Sequence, residues 1–232
     1  MDWMIMMRII YCFVLLLAVV LVGCDSSNTD TAEQEPSQSE PQDKSKLLGQ
    51  ALELAGQHKF DEALTVLDML IAEYPDYAEA YFRKGNILHG QGNLLYDRSV
   101  AMDSKGDVAA ATKNSVESTG KFTEAVNVFN KAIELNPDYG AAYLDRGINQ
   151  ILIDQRKAGY QSLDKAEEIF KAKLAEDPTD VGFKIQLVNI TGFRGEFRNA
   201  LEDAKAILSE HPDSEAARNL VLELEEVVGL RN

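Results

Sequence analysis

One type of segment occurs four times in this chain, and its repetition limits the fold more than any other feature. Three copies begin near an aromatic residue, place an alanine three residues later and end in Pro-Asp: HKFDEALTVLDMLIAEYPD (58–76), GKFTEAVNVFNKAIELNPD (120–138) and GEFRNALEDAKAILSEHPD (195–213). A fourth copy at 162–180 has Leu163 in the aromatic place. Apolar residues recur at helical spacing and proline stops a helix, so each copy predicts one amphipathic helix.

A second helical segment precedes three of these copies: AEAYFRKGNIL (78–88), GAAYLDRGINQIL (140–152) and VGFKIQLVNIT (181–191). Small residues let paired helices approach closely. The sequence therefore predicts an all-α fold built from helical hairpins. At matching places the first helices carry Ala51, Gly85, Gly147 and Val188, and the second helices carry Ala63, Ala125, Ala166 and Ala200.

These pairs resemble tetratricopeptide repeats, which have a small residue at the tight crossing of each helix pair. The resemblance covers about 44–212 and implies an α-solenoid. Val188, and Lys173 where a small residue is usual, depart from the pattern, so we expect less regular packing in the last two repeats. A generic amphipathic bundle is the alternative. The domain 44–232 would hold four repeats and a cap helix, at about 44–77, 78–139, 140–180, 181–213 and 214–228.

The terminating prolines are unevenly spaced. Pro75, Pro137, Pro178 and Pro212 are separated by 62, 41 and 34 residues, whereas the period of this repeat is about 34. The first spacing exceeds this period by about 28 residues. Shared equally, these residues add about four turns to each helix of the second repeat. We expect a long hairpin there with its tip near Gly106, and about one extra turn per helix in the third repeat with its tip near Gly159.

The long hairpin has a rival interpretation, a flexible loop. Its apolar residues argue against a loop because they require burial. Its role is either that of a plain elongated hairpin or that of a protruding contact surface, including an arm for self-association. The residues in question are Leu94, Leu95, Val100, Met102, Val108 and Val116.

The N-terminus carries a charge-free run that ends before a cysteine. Ile9 to Val22 holds fourteen such residues, short for a membrane span of about 20 and typical of a signal-peptide core. LVGC (21–24) resembles the lipobox of bacterial lipoproteins. The resemblance implies that 1–23 is a signal peptide and that Cys24 is acylated (palmitate or a similar chain) on its thiol and new amino group. An uncleaved N-terminal span is the alternative.

Asp25 resembles the signal that retains enteric-type lipoproteins in the inner membrane. We therefore expect a periplasm-facing protein, with the inner membrane favoured over the outer. Asp2 and Trp3 do not suit a positively charged signal start, and Met6 or Met7 fits better. Residues 24–43 then form a lipidated cysteine and a disordered acidic tether, since 25–43 contains six acids, two prolines and no basic residue.

Composition narrows the classes of partner and site. The chain carries 38 acidic and 23 Lys or Arg residues, a net charge of −15, so we expect no nucleic-acid partner. No cysteine follows Cys24, which leaves no disulfide or thiolate site in the body. The histidines His58, His89 and His211 lack metal-ligand spacing, and no phosphate loop or nucleophile elbow occurs. We expect no metal, cofactor or catalytic residues.

Binding is the function that the resemblance implies, on an inner surface lined by the first helix of each repeat. An apolar centre flanked by Asn suits an extended peptide or a helix. The alternative is that this stripe is covered by the cap helix or by a second copy. The residues placed there are Glu79, Phe82, Asn86 and His89 from the second repeat, Ala141, Leu144, Ile148, Ile151 and Leu152 from the third, and Ile185, Asn189 and Phe193 from the fourth.

These features predict a membrane-anchored scaffold or adaptor in a bacterial envelope complex, which binds a protein or peptide partner through the inner surface or the long hairpin. A second hypothesis is a ligand-binding accessory subunit of a solute transport system, with the apolar stripe of the third repeat as its site. A third, an enzyme, has no sequence feature in its favour.

Overall fold

The computed structural model describes residues 40–229, and the side chains from Lys44 onward. The predicted signal peptide, Cys24 and Asp25 lie outside the described residues. Within 40–229 there are nine α-helices and no strand. They are α1 (Glu40–Gly56), α2 (Phe60–Glu73), α3 (Ala78–Asp103), α4 (Val108–Leu135), α5 (Gly140–Leu152), α6 (Arg156–Glu176), α7 (Val181–Phe193), α8 (Phe197–Glu210) and α9 (Glu215–Gly229).

The helices follow one another as four hairpins and a final helix, which confirms the predicted all-α repeat fold. The pairs are α1–α2, α3–α4, α5–α6 and α7–α8, with α9 at the position of the cap. The first helix begins at Glu40 rather than at Lys44, so the last residues of the predicted tether belong to it. The described residues form two compact units, 40–163 and 164–229, whose boundary lies within α6.

The Pro-Asp segments end the helices as predicted. Tyr74, Asn136 and His211 each precede a proline and each follow a helix, with φ of −127°, −138° and −130°. The ring of the following proline disfavours the helical conformation for these residues. The last helical residue therefore lies two positions before the proline.

The second repeat is the long hairpin that the proline spacing predicts. Helix α3 has 26 residues and α4 has 28, whereas the unextended helices α5 and α2 have 13 and 14. The turn between them contains Gly106 at φ +78°, a conformation that glycine adopts without a steric penalty. The two helices pack closely at the base of the hairpin. A Cβ on Gly85 of α3 would lie only 2.7 Å from Cδ1 of Phe129 on α4.

The third repeat differs from the prediction. Its turn is at Asp154, with φ of 62°, and not at Gly159, which lies inside α6. Helix α5 is not extended, and α6 carries all of the excess, with 21 residues against 14 in α2. Aspartate tolerates the left-handed conformation, so a turn forms there without glycine.

On α6 the close approach to α5 is at Gly159, two turns before the predicted Ala166. A Cβ on Gly147 would lie 2.9 Å from the carbonyl oxygen of Gly159. The two glycines are 12 positions apart, as Ala51 and Ala63 are. The extra residues of α6 therefore lie toward its C-terminal end, and counting back from Pro178 shifted the predicted contact by two turns.

Two apolar clusters lie in the core of the unit 40–163. One joins Ala51, Leu67 and Leu70 to the start of α3, and the other surrounds Phe129 on α4. In the unit 164–229, Arg194 at the end of α7 pairs with Asp164 and Glu167 of α6 at 2.7 and 2.6 Å.

The final helix packs as a cap on α8. Its Leu224 and Val227 are 0% and 1% exposed, and Lys205 of α8 pairs with Glu225 at 2.6 Å. The predicted cap helix 214–228 therefore corresponds to α9 within a residue at each end.

Candidate partner-binding site

Helices α3 and α5 are first helices of adjacent repeats and meet along a polar face. The Tyr139 hydroxyl donates to Glu79, and ten residues further along, Nδ1 of His89 lies 3.0 Å from Oδ1 of Asn149. Both contacts join positions 60 residues apart, so the two helices run parallel in a fixed register. This face contains the positions that the sequence predicts for the second repeat.

At the N-terminal end of the face, charge and aromatic contacts occur together. Nε of Arg83 donates to Oε1 of Glu79 at 2.6 Å. The Phe82 ring packs against the Tyr139 ring with centroids 4.7 Å apart. Burial, followed by the charge of Glu79, raises the pKa of the Tyr139 hydroxyl, so Tyr139 stays protonated and donates. These contacts fix the side chains of Glu79 and Arg83.

A chain of neutral hydrogen bonds crosses the middle of the face. The Asn93 amide lies 2.9 Å from Nε2 of His89, and Nδ2 of Asn149 donates to the backbone oxygen of Asp145 at 2.7 Å. Burial lowers the pKa of His89 to about 4. The imidazole is therefore neutral near pH 7, and with its proton on Nδ1 it accepts from Asn93 and donates to Asn149. His89 braces the two helices.

Asp145 is the exceptional charge on this face. Its side chain is only partly exposed, and burial raises its pKa to about 7, although the positive charge of Arg83 acts in the opposite direction. Among the described residues, none forms a hydrogen bond or close ion pair with its carboxylate. The register of α3 and α5 places Asp145 level with Gly85 and Asn86.

Arg146, the next residue, serves a structural role instead. Its guanidinium donates to Oδ1 of Asn130 at 2.9 Å and to Oγ of Ser162 at 3.1 Å. It thereby joins α5 to α4 and α6. The Ser162 hydroxyl donates in turn to Oε1 of Gln150 at 2.7 Å.

The structure buries most of the apolar residues predicted to contact a partner. Phe82 is 2% exposed, Leu144 is 1% and Ile148 is 2%, so these side chains offer a partner almost no surface. Asn86 and His89 are half-buried. Partner contact by this set stays a prediction, and the polar members hold most of its reachable surface. Five other predicted residues are also buried, namely Ile151, Leu152, Ile185, Asn189 and Phe193, whereas Glu79 and Ala141 are partly exposed.

The distal part of the long hairpin, residues 93–118, is called the arm here. Its two helices bond to each other through Ser118, whose hydroxyl donates to the Gly92 oxygen at 2.8 Å, and Ser99, which donates to the Ala111 oxygen at 2.9 Å. Four of the eight large apolar side chains that are exposed within the described residues lie on the arm. They are Leu94, Val100, Val108 and Val116, at 37%, 41%, 64% and 67% exposure.

The expectation that the apolar residues of this hairpin are buried was therefore wrong for these four. Leu95 and Met102 are half-buried. Two helices that pack only on each other cover one side of each, and the remaining sides stay in water.

Sequence reasoning missed Arg83, Asp145 and Asn149. A signal was present, because polar residues recur three or four positions apart on α3 and on α5, both otherwise apolar. The sequence does not show which of these polar residues are paired. That depends on the register between the two helices.

Neither a metal centre nor a membrane span is found in the part of the chain that the structure describes. No group of three or more His, Cys, Asp or Glu side chains in residues 40–229 is arranged to hold a metal ion. No helix in the same range is both long and apolar enough to cross a bilayer.

Comparisons with known proteins agree on one family. Residues 48–95 match a model described as tetratricopeptide repeat, and residues 118–149 match a model described as TPR repeat. No curated protein matches the chain.

Three solved structures are similar at low identity. A thermophilic TPR protein from Thermus thermophilus is 19% identical over 80% of this chain and 98% of its own, with a TM-score of 0.38. A MamA RS-1 double mutant is 16% identical over 82% and 97%, with a TM-score of 0.40. A tetratricopeptide repeat protein from Parabacteroides merdae is 18% identical over 81% and 74%, with a TM-score of 0.36.

The family identity rests on the two model matches, which fall on helices already shown to form hairpins with small residues at their crossings. Repeats of this kind generally act as protein-binding scaffolds. Residues 48–95 and 118–149 of this chain are tetratricopeptide repeats.

Proposed function

We propose that this protein is a lipid-anchored scaffold of the bacterial cell envelope that contacts a protein partner through its arm. The observation that carries the proposal is the concentration of exposed apolar side chains on the arm. Scattered single apolar residues are normal on a protein surface, whereas a concentration of them is typical of an interaction site.

Charge supports the same surface. The arm carries three basic and four acidic residues, a net charge of −1, whereas the whole chain carries −15. An acidic partner meets less electrostatic repulsion at the arm than at the rest of this acidic chain. The residues counted are Arg98, Lys105, Lys113, Asp97, Asp103, Asp107 and Glu117.

The anchoring part of the proposal rests on the N-terminal motif. LVGC (21–24) resembles a lipidation signal and Asp25 favours the inner membrane, so a lipoprotein processed at Cys24 would face the periplasm. More than one acyl chain at Cys24 would hold the protein stably at a bilayer, since a single chain binds only marginally.

Site-specific photocrosslinking in native membranes tests the contact surface. A photoreactive amino acid replaces Val116, which is 67% exposed on the arm, or Leu222, which is 59% exposed on α9. We expect discrete protein adducts from position 116 and not from position 222. The same adducts from both positions, or none from position 116, would overturn the arm as contact surface.

A further inference from the structure

The polar face of α3 and α5 contains a partly buried carboxylate to which none of the described cations is bonded. Asp145 is partly buried on α5, and among the described residues no donor or cation bonds to it. Withdrawing a carboxylate from water costs free energy unless a cation or hydrogen-bond donors replace the lost hydration. Such a group is retained at a cost to stability, which is characteristic of binding sites.

The neighbouring charged and polar groups are already engaged. Arg83 donates to Glu79 at 2.6 Å, and Glu79 also accepts from the Tyr139 hydroxyl. His89 has both ring nitrogens in contact with amides, at 3.0 and 2.9 Å. Each of these groups already makes at least one hydrogen bond, and none of them bonds to the Asp145 carboxylate.

We propose that Asp145 receives a lysine or arginine side chain from a bound polypeptide segment, and that Asn86 of α3 pairs with the same segment. This inference rests on the proposed function, since it requires that the repeats bind a protein. It assigns a second contact, apart from the arm, and gives it a chemical class.

Charge complementarity selects this occupant. A cationic side chain of the segment would form the ion pair that the Asp145 carboxylate does not make within the protein. The amide of Asn86 can both donate and accept hydrogen bonds, as a peptide backbone requires. The many exposed acids of the chain are screened by salt, whereas an ion pair at a recessed carboxylate is screened less. Asp145 therefore selects a basic side chain at one position of the segment, which the exposed acids of the surface do not do.

Selection from a displayed library of random eight-residue peptides tests the inference, with the full chain held in nanodiscs. We expect the enriched peptides to share one basic position. The affinity of the best peptide should fall at least tenfold with Asp145→Asn, and by a similar factor when its basic residue becomes glutamine. The two changes together should cost no more than either alone, which shows that the two groups contact each other.

Asp203→Asn is the matched control, since it removes the same charge from an exposed position on α8, away from the arm and from the polar face. It should leave the affinity unchanged. Circular dichroism melting confirms that both variants remain folded. Enriched peptides without a shared basic position, equal binding to Asp145→Asn, or additive losses would each overturn the inference. None of those results would affect the adducts expected from position 116, so failure here is distinguishable from failure of the scaffold proposal.

Discussion

At the residue scale, a single substitution tests whether Asp145 is a cost to the fold. Its pKa is about 7 instead of the usual 3.8, so the folded state holds a proton that the unfolded state loses between those values. Stability therefore falls as pH rises from about 4 to 7. Asparagine does not ionise, so Asp145→Asn should be about 1–3 kcal/mol more stable than the parent at pH 8.

Urea unfolding at pH 8 and pH 4 measures this difference, which should shrink toward zero at pH 4. His89 has a pKa lowered to about 4 and so destabilises the fold as pH falls below about 6.5. Because both proteins keep His89, their difference isolates Asp145. A variant that is less stable than the parent at pH 8 would contradict the account given for this carboxylate.

A pair of glycine substitutions tests the close crossing in the third repeat. A Cβ on Gly147 would lie 2.9 Å from the Gly159 oxygen and 3.0 Å from Cδ2 of Leu163, so Gly147→Ala should cost about 1–3 kcal/mol. Gly120 lies within α4 with nothing within 4 Å of a Cβ. Gly120→Ala should instead stabilise the fold by about 0.5–1 kcal/mol.

Both glycine variants are compared with the parent by urea unfolding at pH 7. Equal effects from the two substitutions would show that helix propensity alone decides, and that the crossing is not close. Both glycines lie inside helices, so helix propensity is the same for the two. Their substitutions differ because an added methyl group at Gly147 would contact other atoms closely, and one at Gly120 would not.

At the scale of the element, the long hairpin behaves as an insertion in phase with the repeat. Removing residues 93–120 joins Gly92 to Lys121 and restores the 12-residue separation between the small residues Gly85 and Ala125 that Ala51 and Ala63 show. Gly92 would then occupy the place of His58, which has φ of 59°, and glycine adopts that conformation readily.

We therefore expect the variant lacking 93–120 to fold cooperatively, with ellipticity at 222 nm reduced only by the deleted helix. A deletion of 93–118 leaves two extra residues and turns the second helix out of phase by about half a turn. It should melt at a lower temperature and less cooperatively. Equal thermal melts for the two deletions would contradict the phase argument.

The two predicted tips show why sequence places some turns and not others. The tip at Gly106 followed from equal sharing of the excess between two helices, and a flexible glycine coincided with the midpoint. In the third repeat all of the excess lies in α6, and its turn uses Asp154. Proline spacing counts the residues of a helix pair but does not assign them to one helix or the other.

At the scale of the whole molecule, one cysteine tests the anchor. Cys24→Ala removes the thiol that the lipobox would acylate, so labelling with a radioactive fatty acid should vanish. Cys12→Ala is the control and should not change the labelling. Persistent acyl labelling of Cys24→Ala would rule out lipidation at this residue.

The sequence by itself determined the helices, their pairing into hairpins and the length of the second hairpin. These follow from local rules, since proline stops helices, small residues recur where helices cross and apolar spacing sets helical phase. They involve residues close together in the chain, and so they can be read without a structure.

The tertiary structure alone decided which side chains remain available to a partner. Phe82 and Leu144 carry the apolar pattern of a contact surface and are buried, while Val108 and Val116 of the arm are exposed. The pKa of Asp145 is raised because packing of the helices buries its carboxylate. Exposure and charge compensation depend on which helices pack together and in what register, and neither is a property of a residue's own neighbours in the chain.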